Sequence, residues 1–106
     1  MTKKANLFSL NHLDLLEAKN LLEEALGIAL IAHESDYHGG DYFKMSSLDF
    51  NIVLQTNFME DDGETTEAEY PDALLLLYIN GDEIVVDKLS EKVTERGFNL
   101  RRSSKY

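Results

Sequence analysis

Residues 73–79 read ALLLLYI. The run is too apolar and too short for anything but a central strand, and the rest of the chain arranges itself around it. Downstream, NGDE at 80–83 reads as a turn. A helix is expected from about Asp82 to Arg96, with Ile84, Val85, Leu89 and Val93 inward and charges outward. Gly97 ends it, and FNLRRSS at 98–104 is expected as a last strand. Upstream, FNIVLQTNF at 50–58 alternates Phe50, Ile52 and Leu54 with Asn51, Val53 and Gln55, the pattern of a half-buried strand. DYFKMSS at 41–47 and IALIAHES at 28–35 read as two further strands, broken between them by Gly39 and Gly40. Near the start, ANLFSL at 5–10 reads as a strand. A helix follows over 13–26, with Leu15, Ala18, Leu22, Ala25 and Leu26 on one face and Leu16 and Leu21 widening it. Asn11 is its expected N-cap and Gly27 its C-terminal stop.

The element order is therefore β-α-β-β-β-β-α-β. It predicts an α+β fold: a single antiparallel-rich sheet with two helices packed on one face. A ferredoxin-like plait with an inserted hairpin satisfies that order. At 106 residues the chain is expected to be one domain, 1–106, with a single core. It has no cysteine, which excludes disulfides, thiolate metal sites and a thiol nucleophile. Neither a signal-peptide run nor a membrane-spanning stretch is visible, so a soluble, cytoplasmic protein is expected.

Charge is the most informative global feature. The net charge is −10 for 12.1 kDa, which disfavours nucleic acid and anionic membranes as partners. Residues 45–87 hold eleven acids and no Lys or Arg, whereas residues 88–106 hold six bases and two acids. Seven of those acids fall in EDDGETTEAEYPD at 60–72: Glu60, Asp61, Asp62, Glu64, Glu67, Glu69 and Asp72. The segment has no periodicity and contains a proline, so it reads as an exposed loop. Counted from Asp61 as a calcium loop, it places Gly63, Thr65 and Thr66 at the third, fifth and sixth positions and Asp72 at the twelfth. Its glycine is misplaced and the bidentate glutamate is missing. His33 and His38 are five apart, an odd separation that sends strand side chains to opposite faces. No metal and no cofactor is expected.

Catalytic patterns are equally sparse. There is no G-x-S-x-G elbow and no glycine-rich phosphate loop. Exposed carboxylates lack the burial that tunes an acid or a base, so a non-enzymatic role is expected. An acidic segment edged by Phe58, Met59 and Tyr70 instead suits a basic protein partner, with charge for steering and apolar groups for anchoring. The bland alternatives are that the charge serves solubility alone and that the three apolar residues belong to the core.

The segment HESDYHGGDYF at 33–43 resembles small bacterial immunity proteins that neutralise polymorphic toxins, including those of contact-dependent growth inhibition. Tyr37, Gly39, Gly40, Asp41 and Tyr42 match that pattern, and a C-terminal helix followed by GFNLRRS at 97–103 is similar in character. The resemblance implies an acidic cytoplasmic protein that binds a cognate toxin domain, frequently a nuclease, and blocks its active site or an adjacent exosite. With the charge pattern, it makes Glu60, Asp61, Asp62, Glu64, Glu67, Glu69 and Asp72 the expected contact residues, with Tyr70 as an anchor. Asp36, Tyr37 and Asp41 form a second expected set. Two alternatives stand beside it: an acidic adaptor or regulatory module docking another basic protein, and a glyoxalase-like homodimer binding a small ligand.

Overall fold

The computed structural model describes residues 2–35, 40–57, 67 and 69–106, with the backbone alone at 34, 35, 40 and 41. The elements follow the expected order: β1 (Lys3–Leu10), α1 (Leu15–Leu26), β2 (Ile31–Ser35), β3 (Gly40–Ser46), β4 (Phe50–Thr56), β5 (Leu75–Asp82), α2 (Glu83–Glu95) and β6 (Asn99–Lys105). All six strands join one open antiparallel sheet in the order β2-β3-β4-β5-β1-β6. The inner order β4-β5-β1-β6 is that of a ferredoxin-like plait, and the β2-β3 hairpin extends it at one margin.

Strand alternation sorts the side chains. One row crosses the whole sheet: Ala32, Phe43, Leu54, Leu77, Phe8 and Leu100 are successive lateral partners. Its inner members lie under the helices, in a core with Ala18 and Leu22 of α1 and Val86 and Val93 of α2. Both helices therefore cover the same face. The opposite face carries a smaller cluster of Leu7, Ala73 and Leu76, with Tyr70 and Tyr78 packed against it.

Several local expectations are corrected. The N-cap of α1 is Asp14, not Asn11. Asp14 accepts from the Glu17 amide at 2.8 Å and Glu17 accepts from the Asp14 amide at 3.1 Å, a reciprocal capping box. Asn11 instead accepts from the Leu74 amide at 2.8 Å. Strand β2 begins at Ile31, because residues 28–30 form a connector in which the Leu30 amide donates to the Glu23 carboxylate at 2.9 Å. Strand β4 ends at Thr56. NGDE is not a turn: β5 runs straight into α2, and Asp82 caps the helix by accepting from Ile84 and Val85.

Gly81 makes that passage possible. Its φ is +148°, and a Cβ there would lie 2.2 Å from the Asp49 carbonyl oxygen. The inward face of α2 differs in part: Leu89 and Val93 pack inward as expected, but Ile84 does not. Val86 and Val93, seven residues apart, point into the core, which rotates Ile84 out to 67% exposure.

Candidate functional site

Strand β6 pairs with β1 through a bulge. Leu100 stands opposite Phe8 and Arg102 opposite Leu7, so Arg101 is an extra residue. A bulge of this kind puts two successive side chains on one side of the sheet. Both guanidinium groups therefore meet the face opposite the helices, and the end of the acidic segment lies across them.

Each arginine takes one carboxylate. Arg101 donates to Asp72 through both terminal nitrogens, at 3.3 and 3.2 Å. Arg102 donates to Glu67 likewise, at 3.3 Å twice. The planar fork of arginine suits this two-point contact. Arg101 also stacks over the Tyr70 ring, 4.7 Å from its centroid, and the Tyr70 hydroxyl donates to the Arg101 carbonyl at 3.2 Å. The Tyr78 hydroxyl donates to Glu67 at 2.7 Å. Burial, reinforced by the Glu67 carboxylate, holds the Tyr78 phenol well above its ordinary pKa. The hydrogen bond from Arg101 holds the Asp72 carboxyl below the usual range. Asp72 is thus a fixed negative charge near neutral pH.

Asn57 ties this strap to the sheet. It is 4% exposed and sits one residue past β4. Its side chain donates to the Tyr70 and Ala73 carbonyls, both at 2.9 Å, and accepts from the Glu67 amide at 2.8 Å. Two successive turns shape the strap, closed by Tyr70 N–H to the Glu67 carbonyl and Ala73 N–H to the Tyr70 carbonyl. Pro71 takes the second position of the later turn, where its fixed φ is favourable.

Of the eleven residues expected to contact a partner, the structure brings Glu67, Tyr70 and Asp72 together against β6. Glu69 is exposed and has no ion pair among the described residues. Glu60, Asp61, Asp62, Glu64, Asp36 and Tyr37 lie outside the described residues, as do Phe58 and Met59. Asp41 is described by its backbone, which pairs with Glu34 in the β2-β3 hairpin. The sheet register nonetheless relates the two expected sets. Tyr42 stands opposite Gln55, and Thr56 stands opposite Leu75. The inner ends of the β2-β3 hairpin and both ends of the acidic segment thus leave from the same end of the sheet.

Sequence reasoning missed Asn57, Tyr78, Arg101 and Arg102. The arginines had a signal in the positive balance of residues 88–106, which complements the acidic middle of the chain. Asn57 had none. Among the described residues, no three His, Asp or Glu side chains gather as a metal-binding group. No described helix is long and apolar enough to cross a membrane. No protein-family model matches the chain, and a search of curated proteins finds no match.

Proposed function

We propose that this chain is a non-enzymatic immunity protein of the cytoplasm that binds and neutralises a cognate bacterial toxin domain. The toxin domain is basic, a nuclease by class, and is blocked by electrostatic and steric occlusion. The observation that carries the proposal is the anchored base of the acidic segment. Asn57 bonds directly to Glu67, so the stretch bearing Glu60, Asp61, Asp62 and Glu64 begins and ends at one fixed point on the sheet. Fixing the ends of a binding segment lowers the entropy lost on association.

The in-chain pairs refine the mechanism. Asp72 and Glu67 already hold arginines, so they mount the segment, and the partner's cations meet Glu60, Asp61, Asp62, Glu64 and Glu69. A phosphate-binding groove lined with Lys and Arg is complementary to such a surface. The β2-β3 hairpin, with Asp36, Tyr37 and Asp41, leaves from the same end of the sheet and supplies a second contact.

The proposal predicts a toxin gene beside this one, and the test is calorimetric titration of its toxin domain at rising salt. The comparison is between the parent chain and a variant with Glu60, Asp61, Asp62, Glu64 and Glu69 changed to their amides. The variant is expected to bind at least about tenfold more weakly, which is about 1.4 kcal/mol, with a shallower salt dependence. Unchanged affinity and unchanged salt dependence would remove the acidic segment from the interface. Equal binding to unrelated basic proteins would favour the adaptor role.

A further inference from the structure

The helix layer is narrower than the sheet beneath it. In the row that crosses all six strands, Phe8 is fully buried, but its β6 neighbour Leu100 is 53% exposed. α2 packs over β5 and β1 and reaches β6 through the Lys105–Glu83 pair, leaving Leu100 half exposed. An open groove of about 640 Å³ results, walled by α2 and floored by β1 and β6.

Its charges are arranged in sequence. Glu83, Asp87, Glu91 and Glu95 recur every fourth residue and so form a stripe along α2. The first two are matched from the sheet: Lys105 pairs with Glu83 at 2.9 Å, and Lys4 with Asp87 at 2.7 Å. Glu91 and Glu95 line the groove beside Leu100 and have no ion pair among the described residues. Between the two halves the floor is polar and hydrogen-bonded. Asn6, 3% exposed, donates to Ser90 at 2.9 Å and accepts from Ser103 at 2.6 Å.

We infer that this groove docks an amphipathic basic helix of a partner protein, seated as a third helix of the layer. Leu100 takes its apolar face, and Glu91 and Glu95 take Lys or Arg residues spaced one turn apart, completing the pattern that Lys105 and Lys4 begin. A helix fits better than an added strand. The free edge of β6 carries a bulge with Arg101, Arg102 and Lys105, features that blunt an edge against strand pairing. A second copy of this chain fits poorly, because both of its helices carry more acids than bases and the chain bears a net charge of −10. The groove lies on the helix side of the sheet and the strap on the other, so this docking does not depend on the toxin-binding proposal.

The test is an NMR titration of the labelled full chain with three synthetic peptides. One is a Leu/Lys amphipathic helix, one keeps the lysines and replaces leucine by serine, and one is a Leu/Glu helix. The Leu/Lys peptide is expected to shift amides of Ser90–Glu95 and of Asn99 and Leu100. Its Kd should weaken at least about tenfold in Leu100→Asp and in the Glu91→Lys, Glu95→Lys double variant. All three positions are exposed, and unchanged spectra elsewhere will report intact folding. Equal binding of the Ser/Lys peptide, shifts confined to residues 67–72, or full affinity in the Leu100→Asp variant would each overturn the inference. So would sedimentation showing a dimer of the free chain that Leu100→Asp dissociates, because a second copy would then be the occupant.

Discussion

Replacing Asn57 by alanine removes the three side-chain hydrogen bonds that fasten the strap. Their environments differ, and so do their costs. The bond to the Ala73 carbonyl is buried, so stranding that acceptor costs about 1–3 kcal/mol. The Tyr70 carbonyl is partly buried and keeps the Ala73 amide as a donor. The Glu67 amide is partly buried and regains water. Each of these two costs about 0.5–1.5 kcal/mol. The expected loss is therefore about 2–6 kcal/mol, a large share of the stability of a domain this size. Urea denaturation at neutral pH measures it, and hydrogen exchange at the Glu67 amide locates it. Asn57→Asp sharpens the test. It keeps an acceptor for the Glu67 amide but turns a charged oxygen toward two carbonyls, so at neutral pH it should be at least as damaging as alanine. A loss under about 0.5 kcal/mol in Asn57→Ala, with the Glu67 amide still protected, would refute the assignment of Asn57 as the anchor.

Gly81→Ala forces a side chain onto the Asp49 carbonyl at a φ that L-residues rarely adopt, and should cost at least about 1–3 kcal/mol in thermal or urea unfolding. A double-mutant cycle on Glu67 and Arg102 should give a coupling of about 0.5–1 kcal/mol that shrinks in salt; zero coupling at low salt would mean the pair is incidental. Asp72 has a depressed pKa when folded, so its contribution is complete above the unfolded value and is lost as pH falls through the folded one. The stability difference between the parent and Asp72→Asn should thus be constant well above the ordinary aspartate pKa and close as pH falls below it, and a difference that widened on acidification would contradict the Arg101 pairing.

The large elements were legible because their signals are local or periodic. ALLLLYI could be little else than a central strand, and the Phe50, Ile52, Leu54 alternation settled β4. What failed was decided by tertiary partners. Asn11 is a good capping residue, yet Leu74 claims its side chain and Asp14 caps α1. NGDE looks like a turn, but Gly81 has to pass the Asp49 backbone, and the strand continues through it. The strap was half legible. Its acids stand out as a run, whereas the arginines that hold Glu67 and Asp72 are more than two dozen residues away, on a strand whose bulge no local pattern announces.

That bulge makes β6 a strand with a spare residue. Leu100 and Arg102 face Phe8 and Leu7, which are consecutive in β1, so Arg101 has no counterpart of its own. Removing a residue from a strand ordinarily throws everything beyond it to the wrong side. Here, excising Arg101 would leave Leu100 and Arg102 as plain neighbours, each with its present partner, and Ser103 through Lys105 would keep their places. What would go is the grip on Asp72, the two contacts with Tyr70 and a hydrogen bond to Ser9. The length of this strand is therefore free to vary by one without disturbing the sheet, and what that one residue sets is how firmly the acidic segment is held.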